Sequence, residues 1–200
     1  MNRLLAISIS IFGLTGCSSP APPTIRSTFD ADIEGWNVQG FNTDQMDFTI
    51  NSNWIKPGLL DAAGGASGGA LQRHDFFLGV GEYFQAPQKF LGDLSAYYGA
   101  NLDFKLRESH TDGPFAAPLV LLEGAGHRWR YDGSDPPALD WTSYSVPLAA
   151  GPGWTSLDGG GASTADAFQA TLGAVTMIDL RGEFSNSIDD SWLDDVALGF

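Results

Sequence analysis

Asn101-Leu102-Asp103-Phe104-Lys105-Leu106-Arg107 alternates polar and apolar residues without a break. Side chains along a strand point to opposite faces in turn, so this stretch reads as a strand with one buried face, carrying Leu102, Phe104 and Leu106. Downstream, Pro118-Leu119-Val120-Leu121-Leu122 is apolar throughout, the pattern of a short strand buried on both faces. His127-Arg128-Trp129-Arg130-Tyr131, Ser143 to Leu148, Ala174 to Leu180 and Trp192 to Leu198 read as further short strands. Gly and Pro punctuate the junctions, notably at Gly64-Gly65, Gly68-Gly69, Pro136-Pro137, Gly151-Pro152-Gly153 and Gly159-Gly160-Gly161. Two helical pieces interrupt the strands. Ser163-Thr164-Ala165-Asp166 has the form of a capped start, Phe168 and Leu172 continue it, and Gly173 stops it. A shorter helical turn is expected over Pro87 to Leu91. Many short strands with little helix predict an all-β fold, a jelly-roll β-sandwich with one or two short helices.

The start of the chain concerns location. Arg3 precedes an apolar run from Leu4 to Leu14, and Leu14-Thr15-Gly16-Cys17 ends it with small residues and the sole cysteine. This reads as a secretory signal over residues 1–16 whose end resembles a bacterial lipobox. The rule attached to that motif cleaves before Cys17 and places lipid on its sulfur and new amino terminus. The run is much shorter than the roughly 20 residues that span a bilayer. Residues 17–24 are then a lipidated tether, and residues 25–200 a single domain. The expected location is the bacterial cell envelope, with Ser18 after the cysteine favouring the outer membrane of a Gram-negative cell. With a formal charge of −14, the surface repels nucleic acid and anionic headgroups and leaves cations and neutral ligands as partners.

A longer pattern then emerges. Phe29-Asp30-Ala31-Asp32-Ile33-Glu34-Gly35-Trp36 opens it, and Gly68-Gly69-Ala70-Leu71 and Tyr83-Phe84-Gln85-Ala86-Pro87 follow. Lys89-Phe90-Leu91-Gly92-Asp93-Leu94-Ser95-Ala96-Tyr97-Tyr98-Gly99 comes next, then the strand at Leu102 to Leu106. Trp141 to Leu148, Leu180-Arg181-Gly182-Glu183-Phe184 and Leu193-Asp194-Asp195-Val196 close it. In order and spacing this resembles the laminin IV (laminin B) domain of exported proteins. The resemblance implies a galactose-binding-like jelly roll of two antiparallel sheets, shaped like many carbohydrate-binding modules and non-catalytic. Flanking cysteine-rich repeats of the animal context are missing from this sequence, so a matrix role does not carry across with the fold.

Motifs for catalysis fare poorly. Gly65-Ala66-Ser67-Gly68-Gly69 matches G-x-S-x-G, but a nucleophile elbow needs a buried strand before it and a helix after it. A Gly-rich loop fits the context better. His74, His110 and His127 show neither metal-ligand nor triad spacing. Glu82, Glu108, Glu123 and Glu183 are the carboxylates available to glycoside chemistry, whose pair must stand about 5–10 Å apart, a gap that spacing along the chain does not measure.

Acids near the two ends suggest a cation instead. Asp30-x-Asp32-x-Glu34-Gly35 starts like an EF-hand loop, yet its twelfth position is Phe41 where a bidentate glutamate is required. In galactose-binding jelly rolls the first and last strands lie together, and a structural Ca²⁺ commonly joins them. The resemblance places Asp30 and Asp194 at those positions, with Asp32, Asp75 and Asp195 as weaker additions. For ligand contact, Trp54 and Trp129, the latter flanked by Arg128 and Arg130, are the tryptophans expected at the surface. Trp36, Trp141 and Trp192 are expected in the core. Together these point to a lipid-anchored, non-catalytic module at the cell envelope, binding a neutral or weakly polar glycan or an envelope protein. A polysaccharide-processing enzyme and a purely structural envelope protein are the alternatives.

Overall fold

Residues Asn101–Glu108 form a strand in which Leu102, Phe104, Leu106 and Glu108 are all buried, as the alternation requires. The structure, a computed structural model, describes residues 20–42, 48–49, 51–77, 80–133, 135–159 and 161–200. The signal segment and Cys17 lie outside the described residues. The strands are β1 (Ile25–Ser27), β2 (Asn37–Phe41), β3 (Ile55–Pro57), β4 (Leu59–Asp61), β5 (Ala70–His74), β6 (Gly81–Gln85) and β7 (Asn101–Glu108). Then come β8 (Val120–Gly124), β9 (His127–Tyr131), β10 (Thr142–Pro147), β11 (Trp154–Ser156), helix α1 (Ala165–Leu172), β12 (Val175–Arg181) and β13 (Asp190–Gly199). The turn expected near Pro87 is a 3-10 turn at Gln88–Phe90.

All the pairings are antiparallel, and they make two sheets. One has the order β10-β7-β13-β5-β4, with β1 also on β13, and the other the order β11-β9-β8-β12-β6-β2-β3. Strand β13 organises the six-stranded sheet. Along one side it pairs with β7, and along the other its first half pairs with β5 and its second half with β1. The register slips between Asp194 and Ala197, and Asp195 takes a φ of +50°. A bulge of this kind bends a strand and re-aims its side chains.

Between the sheets lies a core that includes Phe29, Trp36, Phe84, Phe90, Phe104, Leu180 and Leu193. The apolar run around Leu121 behaves as expected. Val120 and Leu122 face this core, while Leu121 joins a second cluster with Phe41, Phe48, Tyr83 and Met177 on the other side of the sheet. Helix α1 is capped by Thr164, one residue later than the first serine of its motif, and packs Phe168 against Trp129 and Trp154.

One interior position breaks the apolar pattern. Arg73 sits on the same face of β5 as Leu71 and is fully buried. Its guanidinium bonds Glu82 Oε2 of β6 at 2.9 Å, Ser191 Oγ of β13 at 2.9 Å, and the carboxylate of Asp189. It therefore ties the two sheets together. Glu82 also accepts from the backbone N–H groups of Phe76 and Phe77, at 2.8 and 2.7 Å. Glu108 and Glu183 complete the group, so one guanidinium serves more carboxyls than it can neutralise. The fold resolves this by keeping protons. Burial, reinforced by the charge of Asp189, pushes Glu108 up to about 10, and burial with the charge of Glu82 pushes Glu183 up to about 8.

A carboxyl held protonated in the fold contributes fully only below its unfolded pKa, near 4.5. As pH rises through 8 and then 10, the unfolded chain binds fewer protons than the folded one, and stability falls. The melting temperature should therefore drop between about pH 5 and pH 9, by about 2–4 °C per kcal/mol lost in a domain of this size. Glu108→Gln, with a neutral amide in place of the acid, should flatten the alkaline part of the curve. A curve equally steep in both proteins contradicts this assignment.

Candidate functional site

The loop from 62 to 69 joins β4 to β5, and the bulge of β13 lies beneath it. Asp194 is fully buried there and accepts from Ala66 N at 2.8 Å and from Asp195 N at 2.7 Å. Burial raises its pKa, and these N–H groups work in the opposite direction. Asp30 lies against the same loop, at Gly68. A Cβ on Gly68, whose φ is +88°, would stand 2.1 Å from Asp30 Oδ1, so only glycine fits. A strand, not a helix, follows this loop, and the exposed Ser67 belongs to a turn rather than to a nucleophile elbow.

The other acids disperse. Asp32 accepts from Glu34 N at 2.6 Å within its own turn, and Asp195 pairs with Lys105 at 2.8 Å. Asp75 follows the far end of β5, about 20 Å along the strand from Gly69 at about 3.4 Å per residue. It is not a neighbour of Asp30. Among the described residues, no three His, Cys, Asp or Glu side chains converge on a point that could hold a metal. Two carboxylates facing one loop are the available set, where Ca²⁺ takes six to eight oxygens.

The tryptophans change places relative to expectation. Trp129 is 4% exposed, donates to Thr171 Oγ1 at 2.8 Å and belongs to the core, so it offers no stacking surface. Its strand alternates, which turns Arg128 and Arg130 outward while the ring between them turns in. Arg128 pairs with Asp158 at 3.0 Å and Arg130 with Asp132 at 3.1 Å. Trp54 is half-buried in the turn Ser52–Trp54. Trp36 is in the core as expected, but Trp141 and Trp192 are partly exposed on the outer face of the six-stranded sheet. There the guanidinium of Arg107 lies over both rings.

The outer face of the seven-stranded sheet carries a polar row that sequence reasoning missed. Asn37 of β2, Gln85 of β6 and Asp179 of β12 are direct cross-strand partners. Asn37 Nδ2 donates to Gln85 Oε1 at 3.4 Å, and Gln85 donates onward to Gln39. Gln39 Nε2 and both oxygens of Asp179 are buried without a hydrogen-bond partner among the described residues. Burial, with the charge of Glu123 behind it, raises the Asp179 carboxyl well above its ordinary range. Beside this row opens a cleft of about 480 Å³, lined by Asn37, Gln85, Gln88, Pro87, Leu91 and Met177.

The profile of the laminin B (domain IV) family matches residues 83–200. The chain belongs to that family. Laminin subunit gamma-1 of Homo sapiens is 31% identical over 188 residues, which is 88% of this chain and 10% of that protein. Laminin subunit gamma-1 of Xenopus tropicalis is 33% identical over 105 residues, 52% of this chain and 6% of that protein. The chain thus spans a tenth or less of the curated relatives it matches. In fold it is similar to the L4b domain of human laminin alpha-2, with a TM-score of 0.68 at 10% identity over 91% of this chain and 98% of that one. A family 30 carbohydrate-binding module from a Clostridium thermocellum cellulosomal cellulase gives a TM-score of 0.54 at 14% identity, over 88% of this chain and 96% of that one.

Within this laminin B domain, three of the four glutamates available to acid/base chemistry have a structural explanation, and Glu123 stands apart from them, partly exposed on β8. Glu82 and Glu108 are sealed in the inter-sheet cluster of Arg73, and Glu183 is tied to it through the backbone N–H of Glu82 at 3.0 Å. Glycoside hydrolysis needs a carboxyl pair flanking a bound sugar. This pair flanks a guanidinium.

Proposed function

We propose that this laminin B domain is a non-catalytic binding module, displayed at the cell envelope, that takes a neutral or weakly polar glycan on the outer face of its seven-stranded sheet. The carrying observation is the row Asn37–Gln85–Gln39–Asp179 beside an open cleft, with one buried donor and one buried acid unpartnered among the described residues. Buried polar atoms in a native protein normally have partners. The side-chain amides of Asn37, Gln85 and Gln88, which line the cleft, match sugar hydroxyls that both donate and accept, and Met177, Leu91 and Pro87 supply an apolar wall. The likeness in fold to a carbohydrate-binding module supports this reading. The laminin relatives support the runner-up, a protein partner at the same face.

Screening the purified protein on a glycan array should find a neutral oligosaccharide ligand. Gln85→Ala should weaken it about tenfold or more, roughly 1.4 kcal/mol, with the melting temperature little changed. A ligand that binds Gln85→Ala as well as wild type rules this face out.

Two parts of the proposal lie at the ends of the domain. One is a Ca²⁺ held by Asp30 and Asp194 with carbonyl groups of the 65–69 loop. Millimolar Ca²⁺ should then raise the melting temperature of the wild type and leave that of Asp30→Asn unchanged, a variant that keeps the size of an exposed side chain and removes its charge. Equal responses in the two proteins count against calcium. The other is lipid on Cys17. Among the described residues no helix is long and apolar enough to cross a membrane, and the attachment proposed is through that residue. Cys17→Ala should lose lipid labelling and leave the membrane fraction; a variant that fractionates with membranes as the wild type does refutes the anchor.

A further inference from the structure

We infer a second binding site, on the outer face of the six-stranded sheet, for an acidic sugar: a pyranose bearing a carboxylate or sulfate group. Arg107 of β7 and Trp192 of β13 are cross-strand partners. The Arg107 guanidinium lies 4.2 Å from the centroid of the Trp192 ring and 5.3 Å from that of Trp141. Asp61 Oδ2 accepts from Trp192 Nε1 at 3.0 Å and fixes the orientation of that ring. The row continues through Gln72 to Leu59, which is 44% exposed, and Leu139, beside Arg107 and Trp192 toward the opposite edge, is 57% exposed. A recess of about 260 Å³ opens among Arg107, Trp192, Leu139 and Ser109.

The decisive feature is what Arg107 does not touch. Its Nε is buried without a partner, and among the described residues no carboxylate or carbonyl takes a hydrogen bond from its guanidinium. Two other cations show the ordinary outcome. Lys105, two residues back on the same face, pairs with Asp195 at 2.8 Å. Arg181 also lies over two aromatic rings, Phe115 and Phe184, but gives its donors to the carbonyls of Glu183, Ala117 and Phe115 at 2.7, 2.9 and 2.7 Å. Arg107 has the stacking without the acceptors, in a chain with 24 acidic residues to choose from.

Stacking between indoles strips water from the faces of the guanidinium and leaves its Nη edge to face solvent. That edge is a planar fork, matched to a carboxylate or sulfate by two parallel N–H···O bonds. The indole and leucine surfaces beside it suit the apolar face of a pyranose ring. An acidic peptide could supply the anion but brings no ring to lie on this surface. The site is thus specific for the combination. It is separate from the amide row on the other sheet and stands whether or not that face binds a neutral glycan.

The test is titration of the purified protein, at about 0.15 M salt, with four ligands: an oligogalacturonide, its methyl ester, a carrageenan oligosaccharide and polyglutamate. Binding is read by calorimetry and tryptophan fluorescence. The oligogalacturonide or the carrageenan oligosaccharide should bind and quench fluorescence, and the first identifies a carboxylate, the second a sulfate. Arg107→Gln should weaken that binding about tenfold or more, while Lys56→Gln, which removes an exposed cation from the other sheet, should bind as the wild type does. The inference is overturned if neither acidic saccharide binds, if Arg107→Gln binds equally well, or if the methyl ester or polyglutamate matches the acidic saccharides.

Discussion

The sandwich depends on Arg73. A guanidinium in an interior of this size has to be matched in charge and in every donor, and here the matching groups come from both sheets: Glu82 from one, Ser191 and Asp189 from the other. Removing one member of such a set leaves a buried charge uncompensated, the costly way to lose a salt bridge. The same demand explains the pKa values around it. With Asp189 and Glu82 beside the positive charge, burial of Glu108 and partial burial of Glu183 favour their neutral forms, and the neighbouring carboxylates repel a further charge. A strongly acidic protein thereby keeps a group of acids inside, as neutral or paired members of one network.

Much of the fold was legible in the sequence because alternation is a direct record of which face is buried. The stretch from Leu102 to Leu106 and the doubly buried run around Leu121 both landed as read. The amino-terminal strands carry a weaker record. β2 contains Gln39 and Gly40, and β5 contains Arg73, all buried, so polar residues stand where the pattern asks for apolar ones. Residue type reports burial only when the partner is water or hydrocarbon, and these partners are other polar groups. The same reason hid the candidate sites. Trp129 reads as exposed beside two arginines, yet its strand turns the arginines out and the ring in. Trp141 and Trp192 read as core, yet their company is Arg107, which no single-strand pattern could announce.

The bulge in β13 links these features. By shifting the register after Asp194 it lets one strand pair with β5 first and β1 afterwards, and it turns Asp194 under the loop that Asp30 also lies against. The two ends of the domain are thus closed on each other by backbone hydrogen bonds. Of the broad faces, one carries the amide row of Asn37, Gln85 and Gln39, and the other carries Arg107 over the rings of Trp141 and Trp192, with Lys105 paired to Asp195 nearby. The convergent carboxyls of the Arg73 cluster are meanwhile taken up in holding the sheets together.

That last point is open to direct measurement. Nuclear magnetic resonance of the carboxyl carbons of Glu108 and Glu183, followed across pH in the folded protein, reports the protonation of each group. A sealed structural cluster predicts that Glu108 remains protonated at pH 7, that Glu183 titrates well above the ordinary carboxylate range, and that neither responds to added saccharide. Glu108 titrating near its unfolded value, or either signal moving when a saccharide binds, would place the cluster in contact with solvent and ligand and contradict the account.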